Sequence, residues 1–311
     1  AIREQAYHHG RKRLRVGYHL ITVPSMPILQ VVVLAVVQGI TEFLPISSSA
    51  HLALAPWLLG WQDQTLVFDI ALHLGTLAAV VIYFWRDWVR IVPAGLAALR
   101  DRSFRGDPDR KLAWLIAATM PPAIVAGVLL NDFFEEEVRQ PLLVAAMLVV
   151  GAAIIWTADR LGAKDRGMDR LGFGGAFFIG CAQAVALVPG ISRSGISISA
   201  GPALGLTREA AARFSFLMAT PIIAGAGAWE TRKLLTGESD VPLEVAPLVA
   251  GFAAAALSGF LAIAVPKATP LPIQQRLNTL INEAITAPEN NKRLTTEFAL
   301  LFGALFSLAY F

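Results

Sequence analysis

Apolar runs recur along this chain at lengths that match a lipid bilayer rather than a soluble core. Six of them, at about 65–85, 112–130, 142–158, 214–230, 247–265 and 298–311, predict transmembrane helices. Roughly 20 apolar residues rising 1.5 Å each cross about 30 Å of hydrocarbon, and the last run is the shortest of the set. Two further segments, 27–60 and 173–206, are equally hydrophobic but broken in the middle by a proline and a serine-rich stretch. Each half is too short to cross alone, whereas the pair is long enough to enter and return. A helix interrupted at membrane depth is tolerated only where protein or a wet cavity satisfies its backbone. Both segments therefore predict re-entrant helix–turn–helix hairpins.

The two breaks resemble each other. Pro45-Ile-Ser-Ser-Ser-Ala aligns with Pro189-Gly-Ile-Ser-Arg-Ser-Gly across a one-residue gap, and Gln38 aligns with Gln183. Each hairpin precedes three spans, and an odd number of spans inverts the second copy relative to the first. The expected fold is an all-α polytopic membrane protein. It has six transmembrane helices plus two re-entrant helix–turn–helix hairpins in an inverted-topology repeat, with repeat one at about 27–158 and repeat two at about 173–311. Inverted repeats of this kind place a site near the midplane, where the broken helices approach.

Composition agrees with the pattern. The chain is 55% hydrophobic and 16% charged, with a mean hydropathy of +0.58. Soluble domains carry about 25% charged residues. The net charge of +3 says less than its placement. Residues 86–111 hold seven basic side chains (Arg86, Arg90, Arg100, Arg102, Arg105, Arg110, Lys111), and 159–172 holds Arg160, Lys164, Arg166 and Arg170. The stretch 131–141 is acidic, with Asp132, Glu135, Glu136 and Glu137. The positive-inside rule puts the two basic loops in the cytoplasm and the acidic one outside, so the first hairpin opens outward. Residues 1–25 are basic yet fall outside on this scheme. They lack the apolar core of a signal peptide, read as a non-native or disordered extension before a candidate start at Met26, and are set apart from the membrane domain, 26–311. The single cysteine, Cys181, excludes an intrachain disulfide or thiolate cluster. The chain has no Walker, HExxH or dinucleotide motif, and its basic residues sit beside spans, so no nucleic-acid partner is expected.

Ionisable groups inside apolar segments are costly and usually functional. Glu42 and Gln38 lie four residues apart on one helix face. A carboxylate beside an amide oxygen is a reasonable half-site for a hard divalent ion, Mg²⁺ or Ca²⁺, although a buried Glu that merely packs against a facing Ser or Arg fits equally. Ser47, Ser48, Ser49 and His51 follow Pro45 at an expected helix start. There the serines act as caps or as anion contacts, and Ser48 with His51 has the makings of a nucleophile and base. In the second break, Arg193 lies among Ser192, Ser194, Ser197 and Ser199. A guanidinium in an apolar hairpin calls for an anion or for a salt bridge to Glu42. His73 reads as an interhelical hydrogen-bond partner, and Asp69 as a wet residue at the end of the same span.

These motifs resemble those of the bacterial undecaprenyl-diphosphate phosphatases, the bacitracin-resistance family. The first has the form [E/Q]xxxE, then FLP and SS and a His, and here runs from Gln38 through Glu42 and Pro45 to His51. The second, PGxSRSxxT, here runs from Pro189 to Ser197. Phe-Asp-Ile-Ala-Leu-His-Leu-Gly (68–75) and Phe214-Ser-Phe-Leu-Met-Ala-Thr-Pro221 extend the similarity over about 27–265. The resemblance implies a metal-dependent, multi-pass enzyme of the bacterial inner membrane, its site open to the outer face. It would remove the terminal phosphate of the C55 lipid diphosphate, recycling the carrier for peptidoglycan synthesis and conferring bacitracin resistance. Carried over, Glu42 and Gln38 serve the metal, and Glu42, His51, Ser48 and Arg193 are catalytic. Arg193, Ser192, Ser194, Ser197, Ser47 and Ser49 hold the diphosphate, with Ser48, His51 or water as the attacking group. The partners implied are a polyprenyl diphosphate and membrane lipids, and a homodimer is allowed. Gln38 stands where Glu is commoner, Ser197 where Thr is usual, and the polar stretch after Pro266 is atypical. A flippase shares the broken-helix architecture. The phosphatidic-acid-phosphatase superfamily does not fit, because Ser199 falls where its motif needs histidine.

Overall fold

In a computed structural model, the structure describes residues 26–104, 106–137, 141–236 and 244–268. Eleven α-helices form among them: α1 (Ile28–Phe43), α2 (Ser48–Leu59), α3 (Leu66–Tyr83), α4 (Trp85–Asp101), α5 (Pro108–Ala118), α6 (Met120–Glu137), α7 (Pro141–Leu161), α8 (Phe173–Val185), α9 (Arg193–Ala203), α10 (Arg208–Leu235) and α11 (Val245–Ala268). Among the described residues there is no strand, only an isolated bridge between Arg166 and Leu206. Five stretches are long and apolar enough to cross a membrane: Leu66–Tyr83, Pro108–Leu129, Leu143–Leu161, Arg208–Lys233 and Val245–Ala264. They coincide with five of the six expected spans. The sixth, 298–311, lies outside the described residues, as does the 1–25 extension.

Two expected loops are partly helical. The basic 86–111 stretch contains α4, an amphipathic helix that buries Ile91 and Ala98 and exposes much of the rest. Its apolar residues recur at helical spacing, a signal that the density of arginines obscures. The acidic stretch from 131 continues α6 to Glu137.

Each broken segment forms two short helices, of 16 and 12 residues in α1 and α2 and of 13 and 11 in α8 and α9. At 1.5 Å per residue even the longest spans only roughly 24 Å. Proline ends α1 as expected: Leu44, which precedes Pro45, is extended at ψ 146°, since the proline ring disfavours helical ψ before it. The chain then turns through Ser47 at φ 67° and enters α2. The second break turns at Gly190, φ 99°, where a Cβ would also lie 2.4 Å from the Val144 carbonyl of α7. Ser192 caps α9 by accepting from the Gly195 N–H at 3.0 Å.

The frame around the first break is tight. Helix α11 packs along both α1 and α3. Only glycine fits at position 39, because a Cβ there would lie 1.9 Å from Ser258 Oγ and 2.7 Å from the Gly259 nitrogen. Ser258 Oγ in turn donates to the Ala35 carbonyl at 3.3 Å. Val31, Leu34, Ala35, Leu52, Phe68, Leu72 and Ala255 fill the space between α1, α2, α3 and α11. A larger cluster, including Phe43, Val80, Phe84, Ile179, Ile198, Phe214 and Met218, joins the two halves of the chain. Pro45 and Ile46 of the first break line a small void with Gly190 and Ser192 of the second, so the two breaks are neighbours.

Candidate active site

The centre of the site is Glu42, whose side chain is 6% exposed in the last turn of α1. Helical spacing brings Gln38 onto the same face, and its Nε2 donates to Glu42 Oε2 at 3.0 Å. The turn at Pro45 folds α2 back so that the Ser48 hydroxyl donates to the same oxygen at 2.5 Å, a charge-assisted distance. From the second break, Arg193 places Nη2 3.6 Å from Glu42 Oε1. From α3, His73 places Nε2 3.8 Å from Glu42 Oε2. One carboxylate therefore joins residues from α1, α2, α3 and α9. Arg193 and His73 are about a quarter exposed, at 28% and 27%, while Glu42 and Ser48 are buried. An anion arriving at the accessible side meets the two basic groups first.

The remaining sequence-expected residues divide by what their hydroxyls already do. Ser194 Oγ donates to the Leu44 carbonyl at 2.9 Å and lies 3.1 Å from Ser192 Oγ, which fastens the second break to the first. Ser197 Oγ lies 2.6 Å from Ser215 Oγ on α10 and donates to the Arg193 carbonyl at 2.7 Å, so it anchors the helix that carries the arginine. Ser199 bonds back to the Gly195 carbonyl within its own helix. Ser47 and Ser49 pair with each other at 3.3 Å, the first buried and the second exposed.

His51 is not brought onto Ser48. Its Nδ1 lies 2.8 Å from the Ser47 carbonyl. A carbonyl only accepts, so that nitrogen carries the hydrogen, and among the described residues no hydrogen bond joins His51 to Ser48. Sequence spacing pairs serine with histidine because they are near neighbours in one helix; folding gives the serine a carboxylate instead. His73 is the site member that sequence reasoning set aside as an interhelical partner. Its Nδ1 bonds within α3, to the Asp69 carbonyl at 2.8 Å, and its Nε2 faces Glu42. A signal was available in sequence, since one turn of α3 earlier lies Asp69 and both are polar in an otherwise apolar span.

As for an ion, the donors that carry no hydrogen to share are the Glu42 carboxylate and Gln38 Oε1, which is fully buried and lacks a hydrogen-bond partner. Oxygen donors of that kind fit a hard divalent cation. No group of three or more His, Cys, Asp or Glu side chains with metal-holding geometry occurs among the described residues, so substrate oxygens would have to complete a shell. An open groove of about 1070 Å³ lies elsewhere, between the C-terminal half of α7 and the α9–α10 turn. It is lined by residues such as Ile154, Leu161, Arg166 and Leu204 and touches none of the site residues.

A family model described as bacitracin resistance protein BacA matches residues 31–266. Curated relatives agree. An undecaprenyl-diphosphatase of Alcanivorax borkumensis is 47% identical over 234 residues, covering 75% of this chain and 87% of that protein. Those of Desulforudis audaxviator, 45% identical over 232 residues (75% and 85% covered), and Moorella thermoacetica, 46% over 238 (76% and 87%), are similar to the same extent.

Proposed function

This chain belongs to the bacitracin resistance protein BacA family, and from that premise we infer how its site carries out the family's reaction. The protein is a multi-pass membrane undecaprenyl-diphosphatase: water cleaves the anhydride of undecaprenyl diphosphate to give undecaprenyl phosphate and inorganic phosphate. The lipid carrier of cell-wall synthesis is thereby returned to use, which fits the resistance for which the family is named.

The observation that carries the mechanism is the 2.5 Å hydrogen bond from Ser48 to Glu42, with Arg193 reaching the same carboxylate from the other break. The substrate's diphosphate enters beside Arg193, whose planar fork takes two phosphate oxygens, and its isoprenoid tail stays in lipid. Ser48 Oγ attacks the terminal phosphorus and Glu42 takes the hydroxyl proton. The P–O bond to undecaprenyl phosphate breaks, and that product leaves as an anion that needs no proton. Water then attacks the phosphoseryl group, giving up its proton to His51 Nε2; the P–O bond to Ser48 breaks, Glu42 returns its proton to the serine oxygen, and phosphate leaves. Ser194 and Ser197 work by holding the breaks and α9 in register, so that Arg193 meets Glu42. Ser47, Ser49 and Ser192 border the diphosphate at the starts of α2 and α9, where helix dipoles favour negative charge. Glu42 and Gln38 Oε1 would hold a divalent ion, Mg²⁺ or Ca²⁺, which when bound would supply charge neutralisation to the phosphoryl oxygens.

The helix pairs α1–α2 and α8–α9 are re-entrant hairpins of an inverted repeat. The matched breaks, the short paired helices and the three apolar spans between the two pairs support this. The basic 86–111 and 159–172 segments set the orientation, in the inner membrane with the site open to the outer face. The test is phosphate release from undecaprenyl diphosphate by purified protein in detergent, where no second compartment exists for transport. Release in wild type and its loss in both Ser48→Ala and Glu42→Gln is the expected result. Wild-type turnover in Ser48→Ala would move the attack to water.

A further inference from the structure

The ring of His73 is fixed by its own helix. Nδ1 lies 2.8 Å from the Asp69 main-chain carbonyl, so Nδ1 carries a hydrogen and Nε2 is the ring nitrogen turned to the site. Nε2 lies 3.8 Å from Glu42 Oε2, and that distance exceeds that of a hydrogen bond. It matches two atoms that share a cation, since ligands each roughly 2.0–2.2 Å from one ion lie within about 4.4 Å of each other. A histidine whose far nitrogen is tied to a backbone carbonyl is also the usual arrangement of a ligand imidazole, because the tie sets both tautomer and ring direction. Gln38 Oε1, buried and without a hydrogen-bond partner, adds an oxygen donor one turn before Glu42 on α1.

We propose that His73 is a metal ligand of this site, its Nε2 and the Glu42 carboxylate seating a divalent cation from two different helices. The proposal rests on the phosphatase reading above and deepens it. The first break alone supplies only oxygen donors; α3 adds a nitrogen. A mixed nitrogen–oxygen seat weakens the case for Ca²⁺, which prefers oxygen throughout, and Mn²⁺ is a paramagnetic probe that can report the imidazole nitrogen. Being a quarter exposed, the ring also leaves the remaining coordination positions on the accessible side, where the diphosphate arrives.

The test is Mn²⁺ binding to the purified full chain in detergent, followed by electron paramagnetic resonance. It is run without substrate and again with a non-hydrolysable methylene-bridged polyprenyl diphosphonate. Wild type is expected to bind one Mn²⁺, Glu42→Gln to lose it, and His73→Ala to bind roughly 10- to 100-fold more weakly. His73→Gln, which offers an amide oxygen, should keep the fold and shift preference from Mn²⁺ toward Mg²⁺ and Ca²⁺. Mn²⁺ affinity in folded His73→Ala or His73→Gln equal to wild type overturns the proposal, whatever their activity. So does the absence of Mn²⁺ binding in wild type under both conditions. Phosphate release by the same wild-type preparation is scored separately: its presence alongside a failed binding result leaves the phosphatase reading intact, and its absence removes that reading itself.

Discussion

Ser194 of the second break donates its hydroxyl to the main-chain carbonyl of Leu44 in the first, at 2.9 Å, across 150 residues of sequence. Leu44 follows α1 directly and precedes the proline that ends it; its carbonyl accepts from the Ile46 N–H at 2.8 Å within the turn, and the Ser194 hydroxyl adds a second hydrogen bond from the other repeat. That second bond locks the two breaks together just where Glu42 and Arg193 meet. Ser194→Ala should remove it at a cost of about 0.5–1.5 kcal/mol. Ser194→Thr should retain most of the stability. Thermal unfolding in detergent, with turnover measured on the same samples, checks both; equal melting of Ser194→Ala and wild type would remove the latch.

Arg193 should be irreplaceable by charge alone. Arg193→Ala is expected to lower phosphate release roughly 10²- to 10³-fold. Arg193→Lys should recover only part of that loss, because an ammonium cannot match two phosphate oxygens at once. Steady-state kinetics on undecaprenyl diphosphate decides it, and a fully active Arg193→Lys would argue against bidentate binding.

Glu42 is placed as the base for Ser48, so Glu42→Gln should reduce turnover by roughly 10²- to 10⁴-fold while the chain still folds. If Ser48 attacks, rapid quenching of wild type with terminally labelled substrate should trap phosphoserine, and Ser48→Ala should trap none. His51→Ala should then accumulate the labelled intermediate, since its loss slows only the second step. A normal single-turnover rate with no trapped phosphoserine in His51→Ala would count against the two-step route.

Packing at Gly39 admits no side chain. Gly39→Ala puts a methyl within 1.9 Å of Ser258 Oγ and should destabilise the α1–α11 contact by about 1–3 kcal/mol. Adding Ser258→Ala removes the nearer clash but not the 2.7 Å approach to the Gly259 nitrogen, so the double variant should recover only in part. Melting temperatures of the three variants report this directly.

Ser197 and Ser215 should behave as one unit. Their hydroxyls are 2.6 Å apart and both are buried, so either alanine variant should cost about 0.5–1.5 kcal/mol and the double little more. Ser197→Thr should be tolerated, because it keeps the oxygen. Additive losses in the double-mutant cycle would separate the two residues.

Much of this was legible in one dimension. Hydrophobic run length alone located the five spans that the structure describes, since a membrane imposes a minimum apolar length that no packing detail alters. Prolines 45 and 189 announced the breaks, because proline cannot continue a helix and constrains the residue before it. Glu42 and Arg193 stood out because a charge in an apolar segment must have a reason to be there. Sequence distance, however, says nothing about which groups meet once two breaks fold together. It joined Ser48 to His51, three residues apart, whereas the hydroxyl turns to Glu42 and the imidazole to the Ser47 carbonyl. It read His73 as an interhelical partner without naming Glu42, and it expected Ser194 and Ser197 at the diphosphate without showing that their hydroxyls also bind protein. Periodicity and composition fix what each segment can bury; the choice of hydrogen-bond partner is made in three dimensions, by which backbone and side-chain groups would otherwise be stranded without water.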